Sequence, residues 1–479
     1  MIAGLMTLLR LEARRRQAAR IALYGSLLVV GALTWGLVRL LDAPLRSRQS
    51  EEWMRRDYAN LPEVKLLQKY AQIDTSESTG DELKGAEFLA RNFQAAGIPY
   101  RIEKVGPRKA NLYAWLVGKD PRPLVLHNHI DVSDVDPKEW FSPPFEARIK
   151  LPWIYGRGVF DMKSVAIAQM LAMIDLKKRG APLSHSVLFL ATSSEERGSR
   201  LGVRRIIQLH PEMVRGFWAV LTEGGVVEAR SREEIKFWGT EFAQKHYADL
   251  IVCGDDRQRL EEIRATLREI GPTVTDLRVT PEARAVFAAY GPTRDRKDLR
   301  KMMTNLGDAV GDVKKFRKLP NYIQSMLRDE AVPFKVKAAP GGGWELEIKL
   351  QLLPGESLEA VREKLVPRWM TFGLTTLVDD PPSARAGSPL DSPVYQTIEA
   401  TLRDAYPDAP VGPYFLPWTA TDARFFRTLG VPAYGFSPFL IMNTDTLQVD
   451  QANERFAVPA FANGVELYKK LVRRLVSDT

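Results

Sequence analysis

A single cysteine, Cys253, in 479 residues excludes an intramolecular disulfide, so the chain must hold itself together through its core and any bound ions. Histidine is almost as scarce. The five present are His127, His129, His185, His210 and His246, so no imidazole is available beyond position 246. Internal repeats and low-complexity tracts are missing, which excludes a solenoid and dominant disorder. Excess charge is missing from most of the chain as well. Of the formal +9, residues 1–48 supply +6 (eight Arg against Glu12 and Asp42), which leaves +3 for the remaining 431 residues. The nearly neutral body excludes a nucleic-acid partner argued from charge.

Long apolar runs are also rare, with one exception. Ile21 to Val38 is eighteen uncharged residues, about the shortest length that crosses a bilayer, and it has no polar face. The predicted anchor helix covers about 21–41. Arg10, Arg14, Arg15, Arg16 and Arg20 precede it against Glu12 alone, so the N-terminus should stay cytoplasmic and the body should be periplasmic or extracellular. A cleaved signal peptide is the rival reading. The apolar core exceeds the usual 7 to 15 residues, and no clear small-x-small site follows it before Asp42.

With 45% hydrophobic and 27% charged residues, the rest reads as an ordinary globular protein long enough for two domains. From 51 to 246 helices alternate with apolar strands. Leu83 to Ala96 has helical spacing and stops at Gly97, while Leu124 to Leu126, Val187 to Ala191 and Phe217 to Leu221 read as buried strands of an α/β sheet. Between 247 and 367 the character shifts to charged helices such as Asp256 to Ile270, a basic stretch from Arg294 to Lys318, and the alternating strand Trp344 to Leu350. From 368 to 479 the α/β pattern returns, with helices near Val394 to Tyr406 and Ala460 to Leu475. A catalytic α/β domain interrupted by a smaller α+β lid is the simplest account.

The chemistry concentrates in three places. Each predicted strand ends just before a candidate ligand: His129 with Asp131, then Glu195 and Glu196, then Glu223. Sites in open α/β sheets lie beyond the carboxyl ends of the strands, so these residues should converge. Asp161 lies between them in Gly156-Arg157-Gly158-Val159-Phe160-Asp161-Met162-Lys163. Two divalent ions sharing a water need an imidazole, a bridging carboxylate, further carboxylates and one free carboxylate as proton acceptor, and all these types are present. Singly, each has an ordinary reading. A His-x-Asp is commonly a surface or capping pair, adjacent glutamates a solvated loop, and Glu223-Gly224-Gly225 a turn. His127 reads as a packed histidine.

Taken together, these segments resemble the dinuclear zinc hydrolases that include aminoacylase, carboxypeptidase S and succinyl-diaminopimelate desuccinylase, over about 60 to 471. The match rests on His129-Ile130-Asp131, Trp140 to Phe145, Gly156 to Lys163, Glu195-Glu196-Arg197-Gly198 and Thr222-Glu223-Gly224-Gly225. The resemblance implies a zinc-peptidase-like catalytic domain with a mixed central sheet flanked by helices. It implies two divalent ions, zinc with manganese or cobalt as alternatives. Asp161 would bridge them, His129 and Glu223 would hold one, and Glu196 the other. Asp131 would orient His129 through its far nitrogen, and Glu195 would be the general base.

Three departures stand out. The family's last ligand is a histidine four residues before an acidic Asn-Glu or Asp-Glu pair, and Asp450 stands there, ahead of Asn453-Glu454. Carboxylate is a competent ligand and favours harder ions. The family's Gly-His-x-Ser lid turn is replaced by Cys253-Gly254-Asp255-Asp256, without a histidine. Its substrate-holding asparagine and arginine align with Lys337 and Gln351, so the substrate-binding contacts should differ. The expected activity is hydrolysis of a peptide or amide bond in a dipeptide, a C-terminal residue or an N-acyl amino acid. A catalytically attenuated metal- or ligand-binding module is the alternative. A homodimer through the lid is a further expectation from the resemblance.

Overall fold

The computed structural model describes residues 57–479 apart from 232–233, 271–276, 357–374, 380–386 and 478–479. The expected anchor at 21–41 lies outside the described residues, and among those described no helix is long and apolar enough to cross a membrane. Ala59–Thr479 is one compact unit.

Strands β1 (Tyr100–Lys104), β2 (Ala110–Leu116) and β3 (Asp120–His129) are followed by a small hairpin, β4 (Arg148–Lys150) and β5 (Trp153–Tyr155). The chain returns to the sheet with β6 (His185–Thr192), β7 (Ala219–Thr222), β8 (Val226–Ala229) and β9 (Ile235–Gln244). It then leaves for β10 (His246–Gly254), β11 (Glu330–Ala338), β12 (Trp344–Leu352) and β13 (Thr375–Asp379), and comes back as β14 (Val411–Leu416), β15 (Ala433–Gly435) and β16 (Arg455–Ala457). The main sheet runs β1-β2-β6-β3-β7-β15-β9-β14, with β8 on β9. It is mixed. β6, β3, β7 and β15 are mutually parallel neighbours, whereas β1/β2, β2/β6 and β15/β9 are antiparallel.

The parallel block positions the site. Leu124, Val125 and Leu126 pair with Val187, Leu188 and Phe189 on one side and with Ala219, Val220 and Leu221 on the other. Both faces of β3 are covered, so its apolar residues run continuously and not in alternation. The helix Lys163–Arg179 covers one face and is buried around its whole first half, which explains why its sequence shows no amphipathic stripe. It ends on Gly180 at φ 65°, after Lys177, Lys178 and Arg179 in the last turn, a capping and charge arrangement suited to a helix C-terminus.

The second sheet, β11-β12-β10-β13, is antiparallel and packs its apolar face (Leu250, Val252, Leu346, Ile348, Leu350) on the helix Arg257–Ile270. The insert is not lid throughout. Its helix Pro281–Tyr290 buries Ala283, Val286, Phe287 and Tyr290 against the catalytic sheet, where Tyr290 meets Phe237 of β9 edge-on and Ala289 packs over Gly412 of β14.

Candidate metal centre

The adjacent carboxyl ends of β3, β6 and β7 deliver His129, the Glu195–Arg197 turn and Glu223 to one place. Ligand atoms of His129, Glu195 and Glu223 lie within 4.8 Å of one another, as do those of Asp161, Glu196 and Asp450. The two groups meet at His129, whose Nε2 is 3.2 Å from Asp161 Oδ1 and 3.7 Å from Glu223 Oε2. All of the expected ligands and the expected base therefore fall in two neighbouring clusters. Each position has a local cause.

His129 is 1% exposed, and its Nδ1 lies 2.8 Å from the Asp131 main-chain oxygen and 3.6 Å from that residue's carboxylate. A proton on Nδ1 facing that carbonyl leaves the Nε2 lone pair free toward Asp161 and Glu223. The Asp131 carboxylate has a second task. It accepts the backbone N–H groups of Glu195 and Glu196, each at 3.0 Å. That anchors a turn bounded by the left-handed residues Ser194 (φ 60°) and Gly198 (φ 80°), and sends two consecutive side chains to different clusters.

On the second side, Ser133 Oγ donates to Glu196 Oε2 at 2.8 Å. Asp450 has φ 57°, a region that aspartate tolerates better than most residues, and its carboxylate accepts from Arg157 Nη1 at 3.2 Å. The same nitrogen donates to buried Glu454 at 2.7 Å, whose other oxygen accepts the Phe160 N–H at 2.8 Å. Arg157 and Glu454 thus lock the Asp450 loop to the Asp161 segment. Sequence reasoning passed over both as functional residues, although they flank the ligands in the quoted motifs. It also passed over Ser133, and Asp422, a buried carboxylate that accepts from Ser199 and whose charge acts on Glu195.

Glu223 owes its place to the glycines after it. Gly224 (φ 115°) and Gly225 (φ 84°) form a left-handed turn, and a Cβ on Gly225 would stand 2.5 Å from the Gly239 oxygen. The turn reading of this segment holds, and the turn carries Glu223 to within ligand distance of His129 and Glu195. His127 is structural: Thr222 Oγ1 and Thr192 Oγ1 bond its two nitrogens at 2.8 and 3.0 Å, and burial, with the His129 charge next, lowers its pKa to about 3. Lys337, 58% exposed on the polar face of β11, is committed to Glu345 at 3.0 Å. Gln351 stands between Tyr247 of β10 and Glu330 of β11 in the lid sheet.

The electrostatics fit a bound cation. Burial first, and the Asp161 charge second, raises both Glu196 and Glu223 to about 8, while burial and the Glu223 charge hold Glu195 well above its usual range. For His129 burial alone would lower the pKa, but the Glu223 charge and the Asp131 and Asp161 contacts outweigh it and raise it. Glu196 Oε1 is buried with no hydrogen-bond partner. Positive ions among these groups would reverse each penalty.

A pH prediction follows from the carboxylate shifts. An acid whose pKa rises on folding holds more protons folded than unfolded, so the metal-free protein loses stability as pH climbs from about 4.5 to about 8. Ions bind the deprotonated set, so the gain in Tm on adding metal should be larger at pH 8 than at pH 6, with proton release on binding. Thermal unfolding with and without chelator checks this, and an equal gain at both pH values would contradict it.

The family model described as peptidase family M20/M25/M40 matches residues 125–474. The chain is 24% identical over 429 residues to aminoacylase-1A of Rattus norvegicus, covering 87% of this chain and 96% of that protein. Among solved structures, it resembles the M20 family metallo-carboxypeptidase Sso-CP2 from Sulfolobus solfataricus (TM-score 0.65, 17% identity, 86% and 99% of the two chains). It also resembles human carnosine dipeptidase 1 (TM-score 0.63, 14% identity, 88% and 97%).

Proposed function

Since the chain belongs to peptidase family M20/M25/M40, and is therefore a metal-dependent hydrolase of peptide or N-acyl amino acid bonds, we propose that it works through a dinuclear centre with Glu195 as general base. The observation that carries this reading is the pair of ligand clusters meeting at His129 and Asp161. His129 and Glu223 would hold one ion, Glu196 and Asp450 the other, and Asp161 would reach both. Two such ions would lower the pKa of a bound water and polarise the amide carbonyl.

The chain's own residues then divide the remaining work. Glu195 accepts the proton from the attacking water at its carboxylate and returns it to the leaving nitrogen, so that an amine and a carboxylate depart. Asp131 fixes where Glu195 stands through the backbone N–H at 3.0 Å. The Asp131 carbonyl holds the His129 ring in the orientation that keeps Nε2 available. Substrates are small: dipeptides, C-terminal residues or N-acyl amino acids, as the names of the similar proteins suggest. The direct test loads the full chain with zinc, manganese or cobalt, counts ions per chain, and measures release of amino acid from a panel of dipeptides and N-acyl amino acids. Two ions with turnover on at least one class supports the proposal, and a chain that binds none refutes it.

The proposal extends to location. The apolar run from Ile21 to Val38, with five arginines on its N-terminal side, supports a single anchor helix with the body outside the cytoplasm. An alkaline phosphatase reporter fused after Thr479 should be active, since that enzyme needs an oxidising compartment. An inactive, fully expressed fusion would reverse the topology.

A further inference from the structure

Resting on the dinuclear reading above, we propose that the Asp161–Glu196–Asp450 half of the centre is a hard-cation site that takes manganese or magnesium beside zinc in the His129 half, making the working pair unlike. Donor chemistry distinguishes the two halves. Every candidate ligand in this cluster offers carboxylate oxygen. Ser133 occupies Glu196 Oε2, so the buried, unpartnered Oε1 is the oxygen left for an ion. Arg157 donates to one Asp450 oxygen at 3.2 Å and offsets part of the negative charge, and Ser133 also bonds the Asp450 carboxylate.

Among the described residues, no imidazole or thiol belongs to this cluster. The one ring nitrogen that His129 leaves free points between Asp161 and Glu223. His127 has both nitrogens on threonine hydroxyls, and His185 is stacked on Trp218 at 3.8 Å. His246 sits in the lid sheet opposite Leu352, and Cys253 in the same strand opposite Glu345. Zinc gains most from imidazole and thiolate, whereas all-oxygen sets suit magnesium and manganese, which complete their shell with water. The two halves should therefore differ in zinc preference even though they share Asp161. The aspartate is also a position where the exchange can be tried. At φ 57°, histidine is among the residues that the backbone accepts.

The test strips the full chain with chelator and dialyses it against buffered ions with free manganese about tenfold above free zinc, a margin that offsets the intrinsic order favouring zinc. Ions per chain come from elemental analysis, and bound manganese from its electron paramagnetic resonance signal. One zinc and one manganese are expected in the wild type. Asp450→His should take two zinc ions and lose manganese occupancy by about tenfold or more, as its second site gains an imidazole. Two zinc ions in the wild type under these conditions overturn the inference, as does an Asp450→His protein with unchanged occupancy. Should that variant not fold, the wild-type competition decides alone. Two zinc ions with full turnover defeat only this inference, whereas no bound ion and no turnover defeat the hydrolase reading beneath it.

Discussion

Glu195→Ala is expected to retain both ions and to lose roughly 10² to 10⁴-fold in turnover, the range that a positioned general base contributes. The expectation that metal survives comes from the geometry. Each cluster retains other ligands once Glu195 is gone: His129 and Glu223 in one, Asp161, Glu196 and Asp450 in the other. Glu195 has no side-chain partner in its turn to upset. It is the backbone N–H of residue 195 that Asp131 grips, and alanine keeps that bond. Binding of the ground-state substrate should change little, so the loss should fall on kcat and not on KM. Glu195→Gln should behave alike, since the amide matches the carboxylate in shape but cannot accept the proton. Steady-state kinetics with elemental analysis on the same preparation separates the cases. A variant that keeps two ions and more than about a tenth of wild-type turnover would remove Glu195 from the role of base.

The contrast between Glu195 and Glu196 shows what was legible in the sequence. Residue types and order were enough to predict which side chains would converge, because parallel strands end where α/β sites form: β3 ends on His129, β6 three residues before Glu195 and β7 just before Glu223. The helix ending at Gly97 and the strand opening at Trp344 were equally readable from period and turn residues. Only the family resemblance separated the two adjacent glutamates, and which of them joins which cluster was not readable from period or turn residues. That depends on Asp131, 64 residues away, accepting both backbone N–H groups.

β9 was hidden for a related reason. Its run Ile235-Lys236-Phe237-Trp238-Gly239-Thr240-Glu241 mixes charge, glycine and apolar residues, yet it is buried from Phe237 onward. The charge that makes it tolerable belongs to Arg427, 186 residues later. The insert deceived by composition: Pro281 to Tyr290 looks like one more lid helix until its apolar stripe is seen to lie on β14.

That pairing of Glu241 with Arg427 carries the second large effect. The two side chains meet fork to fork at 2.7 and 2.8 Å, both buried, and Arg427 also donates to the Ser388 hydroxyl and the Ala433 carbonyl. Glu241 Oε2 accepts the Gly435 N–H at 3.1 Å. Removing one partner of such a pair leaves an uncompensated buried charge, and Arg427→Ala should cost about 3–5 kcal/mol. Burial already raises the Glu241 pKa against the opposing pull of Arg427, so without the guanidinium the carboxyl would fold protonated and the loss would deepen as pH rises.

The damage should also reach the metal. Gly435 lies so close to the Glu223 turn that a Cβ there would stand 2.4 Å from the Glu223 oxygen, and one on Gly224 would stand 3.4 Å from Glu241 Cβ. The ion pair is therefore the floor on which the Glu223 ligand rests. Arg427→Ala should weaken ion binding by the His129–Glu223 half more than by the Asp450 half, while Glu241→Gln with Arg427→Met, which removes both charges, should recover much of the stability. Denaturant midpoints and zinc titrations of the three proteins settle the matter. An Arg427→Ala protein within about 1 kcal/mol of wild type would show that the pair bears little of the fold, since changes of that size are what exposed ion pairs give.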